Sequence, residues 1–348
     1  MAIVDRLRVP SLPIPLPWWF GFSLSLFLPL LLMVFLLTGP HDPPVALGWI
    51  IPLLVLIVLD SVLGDEARSL PTGDLGSFAS FLLLLLAALA PVNLVLSGWF
   101  LSNLLLKFQG NLIFLISNLV ALRFIAGTTL CCSVIAPAHE MMHRGSGVFR
   151  ALARCLLLLV FADDFFFAHG GGHHRNLGQK EDPSSATQGE NYEAFFQRSL
   201  RAQWGMAHRR FPRGFKIGVA LQMGLFLVFA GLFGILSALF WTYLCVVSRR
   251  LLEAVNYFQH YGLDGTSRRQ GVLAWRCDGA ISYFLFLGLT RHGDHHLRPG
   301  VPFIELRPRS GEPHLPLGYL GTAIWVKNHS SSYRRWADQS LSSLKVKT

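Results

Sequence analysis

From Ile217 to Ser248 the chain carries no charged residue. A helix needs only about 20 apolar residues to cross a bilayer. The run at 216–248 is therefore too long for one ordinary span. Gly231 and Gly234 lie near its middle, so it reads as two helices in a tight hairpin, 216–232 and 233–250. Four more runs of spanning length lie upstream, at 18–37, 47–64, 78–101 and 111–136. Backbone in hydrocarbon must satisfy its own hydrogen bonds, which forces such runs into helices. The expected fold is all-α integral membrane, with six transmembrane helices in a single domain covering 1–348. Composition agrees: 52% of residues are hydrophobic and 14% are charged, against about 25% charged in soluble domains. The run at 151–170 holds Asp163 and Asp164 and reads as one buried or interfacial helix, and 281–290 is too short to cross.

Lys and Arg set the orientation. Ten lie in 139–215 and fourteen in 249–348, while the loop between the first two spans and the tip of the hairpin have none. Arg6 and Arg8 precede the first span. Six spans with both termini inside satisfy the positive-inside rule, and both large polar segments then face the cytoplasm of an inner-membrane, multi-pass protein. The net charge of +10 reflects this bias and not nucleic-acid binding, because the basic residues are scattered among membrane segments. The five cysteines form no C-x-x-C pair, which leaves a zinc ribbon or iron–sulfur site without support. Trp18, Trp19, Trp49 and Trp99 lie at span ends and read as interfacial anchors.

Chemistry enters with histidine. Nine of the thirteen histidines fall into four clusters. They are His139 and His143 in HEMMH, His169, His173 and His174 in HGGGHH, His260 in NYFQHYG, and His292, His295 and His296 in RHGDHH. Spacings of three or four place imidazoles on one helix face. Each cluster starts where an apolar segment ends, and all lie on the expected cytoplasmic side. Desolvating nine imidazoles at a membrane edge is costly unless they are paired or bind metal. His41, His208, His314 and His329 lack such context and read as surface or loop residues.

HEMMH alone is an H-E-x-x-H pattern, in which two histidines hold zinc and Glu140 serves as general base of a protease. A catalytic zinc takes about three protein ligands, so that reading leaves seven histidines unexplained. Nine suit two metal ions with four or five ligands each, although imidazole binds Fe, Cu, Zn and Ni alike. Three readings stand on the residues: a two-iron oxygen-activating enzyme, a membrane metalloprotease, and a metal transporter. A transporter would line a path with polar residues in mid-span, and these spans hold almost none.

The boxes resemble those of the membrane-bound alkane 1-monooxygenase (alkane hydroxylase) and xylene monooxygenase family, which is related to the membrane fatty-acid desaturases. HEMMHR is similar to its first box and HGGGHHRNLGQKEDPSSATQGEN to its second. LEAVNYFQHYGL is similar to its Asn-Tyr-x-x-His-Tyr-Gly motif, and LTRHGDHHLRP to its third box. LDSVLGDE resembles the Asp-containing end of its second span. The resemblance covers roughly 45–340. It implies two non-haem irons held by His139, His143, His169, His173, His174, His260, His292, His295 and His296, and O2 as co-substrate. It further implies hydroxylation of an unactivated C–H bond, at the terminal carbon of an alkane or an alkyl-aromatic methyl. A desaturase-like reaction on a fatty acid, desaturation or terminal-alkene formation, is the alternative. Electrons would come from a rubredoxin or a ferredoxin-type reductase, and the chain carries no flavin or NAD fingerprint of its own. Ala168 and Gln259 stand where the family pattern usually has Glu.

Within that reading Glu140 and Asp294 are expected to accept hydrogen bonds from neighbouring imidazoles. Arg144, Arg175 and Arg291 would neutralise such carboxylates or dock an acidic electron-transfer partner. Gly170, Gly171 and Gly172 would permit the close backbone approach by which His169 and His173 converge.

Overall fold

The computed structural model describes residues 17–69 and 75–345; the expectation for Arg6 and Arg8 lies outside them. Among the described residues, six helices are long and apolar enough to cross a bilayer. They are α1 (Trp18–Thr38), α2 (Pro43–Val62), α3 (Gly76–Lys107), α4 (Leu112–His143), α8 (Pro212–Phe233) and α9 (Ile235–His260). Between and after them lie α5 (Gly147–Leu159), α6 (Asp163–Ala168), α7 (Tyr192–Arg210), α10 (Ala280–Leu285), α11 (His292–Leu297), α12 (Tyr319–Asn328) and α13 (Ser330–Lys345).

Local chemistry sets the boundaries. Proline opens α2 and α8, where its missing N–H costs nothing and its fixed φ suits a first turn. Asn111 and Asn191 cap α4 and α7 by accepting from Phe114 N at 3.1 Å and Ala194 N at 2.9 Å. The expected hairpin has its joint at Gly234, with φ of +87°, a conformation that penalises any Cβ. Exposed Leu30, Val34, Ile51, Val58, Leu227 and Leu232 give the bundle a surface suited to lipid and not to water.

Two spans run further than their apolar stretches suggest. α4 passes through a π-helical turn at Cys131–Ile135 and continues to His143, so HEMMH is the end of the fourth span and not a loop beside it. α9 continues to His260. Successive spans alternate in direction, so the ends of α2, α4 and α9 share one side with the starts of α1, α3 and α8. The segments 144–211 and 261–345 leave from that side, and the links on the other side are short.

Two expectations change. The run at 151–170 is two helices, α5 and α6, broken at Phe161 with φ of +54°. His41 is buried, with its ring Nε2 3.0 Å from Phe35 O and its backbone N donating to Asn118 at 3.0 Å. It closes the link between α1 and α2. His208 and His329 are exposed. His314 faces Asp278 at 3.5 Å.

Candidate metal centre

The four clusters converge into two groups. One nitrogen from each of His139, His143, His169, His174 and His295 falls within 4.8 Å of the others, and the same holds for His173, His260, His292 and His296. The second and third boxes therefore each serve both groups. A π-helical turn over His169–His173 makes this possible: it directs His169 and His174 to the first group and His173 to the second. π-turns of this kind are frequent at functional sites. In α11 the split is by helix face, His295 to the first group and His292 and His296 to the second. The groups touch, with ring centroids 4.6 Å apart for His174 and His296 and 5.4 Å for His292 and His295.

The spacing inside the groups is that of metal ligands. Nε2 atoms lie 3.1 Å apart for His143 and His169, 2.9 Å for His169 and His174, and 3.0 Å for His292 and His296. Two nitrogens at about 2.1 Å from one metal and at right angles to each other lie about 3.0 Å apart. Nε2 of His139, His173 and His295 and both nitrogens of His260 are buried without a hydrogen-bond partner. A buried polar atom left unpaired costs about 1–3 kcal/mol, and this many in one place fits a site built for metal. Burial, then the neighbouring imidazoles, push His169, His292, His295 and His296 well below the usual histidine range. They are neutral near pH 7, the form that ligates.

Asp182 belongs to the candidate site, though the spacing of histidines does not reveal it. Its oxygens lie 2.9 and 3.0 Å from His173 Nδ1, which fixes the tautomer and leaves Nε2 facing the second group. The carboxylate accepts from Ser184 N at 2.9 Å and Ser185 Oγ at 2.6 Å. Burial raises the Asp182 carboxyl, but His173 and these hydrogen bonds outweigh it, and the net shift is downward. The sequence signal was present in Asp182-Pro183-Ser184-Ser185, an Asp followed by turn residues that satisfy it.

The carboxylates next to the histidines do other work. Glu140 accepts from Arg144 Nε at 2.9 Å and from Phe303 N at 3.2 Å; Asp294 pairs with Arg298 and accepts from Arg307 N at 2.8 Å. Neither has an imidazole as its hydrogen-bond partner, contrary to expectation. They tie α4 and α11 to the loop at 298–307. Arg144 neutralises Glu140, as one of its two expected roles required. Arg291 does not dock a partner: it is buried under the Tyr283 ring and donates to Leu306 O, Glu66 O and Arg68 O. Arg175 is exposed. Gln259 donates to Tyr319 OH at 2.7 Å and Leu289 O at 3.3 Å, so its amide anchors α9 and does not orient His260. Ala168 is buried against the π-turn. The glycines do not bring His169 and His173 to one group, as expected, since the π-turn separates them; Gly172 makes room for Met206, whose Sδ would lie 2.1 Å from a Cβ there.

A small, mostly apolar pocket borders the histidines. His139, His169 and His292 line it, so members of both groups reach it. Cys131, Ile135, Leu252, Val255 and Phe286 are among its apolar walls, and Asn256 and Gln259 are the other polar side chains lining it.

The family model for fatty acid desaturase matches residues 114–316, which include all nine histidines. Among curated proteins, alkane 1-monooxygenase 1 of Pseudomonas aeruginosa is 28% identical over 219 residues, 57% of this chain and 57% of the relative. Alkane 1-monooxygenase 2 of the same organism is 25% identical over 351 residues, 91% of this chain and 85% of the relative. The xylene/toluene monooxygenase hydroxylase component of Pseudomonas putida is 24% identical over 200 residues, 51% of this chain and 53% of the relative. The chain spans just over half the length of the first relatives it matches, 57% and 59%. The matched region, the six apolar helices and the converging histidines agree, and the chain belongs to the fatty acid desaturase family.

Proposed function

We propose that this chain is an O2-dependent membrane monooxygenase that hydroxylates an unactivated C–H bond of a hydrophobic substrate, at the terminal carbon of an alkane or a methyl group on an aromatic ring. The observation that carries the reading is the pair of touching all-histidine groups beside a mostly apolar pocket. His139, His143, His169, His174 and His295 would hold one iron, and His173, His260, His292 and His296 the other. When bound, the irons supply the redox chemistry that activates O2. The protein supplies the rest. Asp182 holds the His173 ring in one tautomer. Cys131, Ile135, Leu252 and Val255, on α4 and α9, line the pocket beside the histidines and would keep water from the reacting end of an apolar substrate. The similarity to proteins named alkane and xylene monooxygenase supports the reaction class.

Two electrons per turnover would come from a separate rubredoxin or ferredoxin-type reductase. The distribution of Lys and Arg supports an inner-membrane orientation with both termini and the histidines facing the cytoplasm.

The second reading, desaturation of a fatty acid or its conversion to a terminal alkene, is favoured by the family model matched. The cavity lining speaks for the first: it contains no Lys or Arg, so a carboxylate drawn into it would lose its hydration without gaining a partner. Octane, xylene and dodecanoic acid, supplied with O2 and a reducing system to the purified protein, separate the two. An alcohol from octane or xylene is expected. A dehydrogenated or decarboxylated product from the acid alone would transfer the chain to the second reading.

A further inference from the structure

On the side that carries the histidines, arginines commonly face a carboxylate. Arg144 pairs with Glu140, Arg154 with Asp163, Arg198 with Glu190 and Arg276 with Asp278, at 2.6 to 2.9 Å. Others, such as Arg150 and Arg201, have no such partner among the described residues, and four cations of this kind are gathered at the bend between α7 and α8. Residues 208–216 contain Arg209, Arg210, Arg213 and Lys216 and no Asp or Glu. All four cations are exposed, and among the described residues none of them pairs with a carboxylate.

The bend also adjoins a helix of spanning length, since α8 begins at Pro212 and its charge-free stretch at Ile217, which puts 208–216 beside the bilayer surface. Trp204 and Phe211 are 52% and 39% exposed, and Ile217 and Leu221 continue the apolar surface along α8. Trp204 packs edge-on against Phe215 at 5.4 Å. Exposed aromatic rings beside the start of a span mark the headgroup region. Four cations within nine residues and without a carboxylate partner call for an anion, and guanidinium groups match phosphate oxygens in geometry. An acidic protein would meet its cations away from the bilayer. Here they are interleaved with Phe211 and Phe215 and flanked by residues that face lipid.

We propose that the bend at 208–216 is a docking site for the phosphate headgroup of an anionic phospholipid in the surrounding bilayer. The site is joined to the histidines. Arg210 Nη1 donates to Gly171 O at 2.5 Å, inside the π-turn that carries His169 and His173. Phe211 stacks on Phe167 at 5.2 Å, and Arg154 donates to Gly214 O at 2.7 Å. A headgroup held at the bend steadies that turn from behind, whichever metal the histidines bind.

Native mass spectrometry of the full chain, released from micelles containing equal phosphatidylglycerol and phosphatidylcholine, tests the site. Phosphatidylglycerol should be retained at least tenfold more. Each cation removed should lower that preference roughly fivefold, so a variant combining R209Q, R210Q, R213Q and K216Q should show none. In the unaltered, metal-free protein, phosphatidylglycerol should raise Tm, while phosphatidylcholine and inorganic phosphate should not. Equal retention of the two lipids, or a variant that keeps the preference, overturns the proposal. An equal rise in Tm with inorganic phosphate would make the site one for a free anion. A variant that keeps its lipid preference and loses only its reduction by an acidic electron-transfer protein would make the surface a protein dock.

Discussion

Asp182 and Glu140 show how differently two carboxylates near histidines can behave. Asp182 lies nine positions from His173 in the chain yet holds its Nδ1 at 2.9 Å; Glu140 is next to His139 in sequence and is bound to Arg144. Adjacency in the chain says nothing about side-chain direction, whereas an i,i+4 pair does. Glu140–Arg144 and Asp294–Arg298 were both readable on that rule. Removing a carboxylate that orients a ligating histidine typically lowers metal affinity 10–100-fold. Asp182→Ala should therefore lose metal to a chelator at 10–100-fold lower concentration while keeping its helical circular dichroism, and Glu140→Gln should show a much smaller change. Gly288 offers a second test. Its φ is +70°, and a Cβ there would lie 2.7 Å from Phe303 O. Gly288→Ala should cost about 1–3 kcal/mol, read as a lowered Tm, and should disturb His292 four residues on.

At the scale of elements, the histidine spacings and the six apolar runs were legible because both follow helical periodicity and bilayer thickness. The π-turns at Cys131–Ile135 and His169–His173 were not, since hydrogen bonds from i to i+5 leave no compositional trace. Without them the second box would read as serving one ion. The three glycines were expected to let His169 and His173 converge; the two histidines instead go to different groups, and the close neighbours are Phe211 at Gly171 and Met206 at Gly172, with none at Gly170. Gln259 illustrates the limit of pattern comparison. Where the family pattern usually has Glu beside the histidine, this chain has an amide that fastens α9 to Tyr319 and Leu289. Gln259→Leu should lower Tm by the equivalent of about 1–3 kcal/mol and leave metal content unchanged.

The whole molecule couples stability to pH through these buried groups. His169, His292, His295 and His296 have folded-state values below their ordinary one, so the unfolded chain binds more protons below about pH 6.5. The stability they contribute is present above that pH and is lost as pH falls. Glu312 acts with the opposite sign: burial pushes it up to about 7, and the stability tied to its protonated form is lost as pH rises through that value. The metal-free protein should therefore lose Tm on acidification from pH 7 to 5. Glu312 opposes that acid loss, since its protonation between about pH 7 and 4.5 stabilises the fold, and Glu312→Gln should steepen the fall in Tm from pH 7 to 5.

The most direct test of the whole account is the metal content of the purified, unaltered chain, measured by elemental analysis together with Mössbauer spectroscopy after growth on 57Fe. Two irons per chain in nitrogen-rich sites are expected, one for each histidine group, and both should be lost in a chain carrying His169→Ala and His173→Ala. One zinc per chain and no iron would contradict the account and return HEMMH to the protease reading.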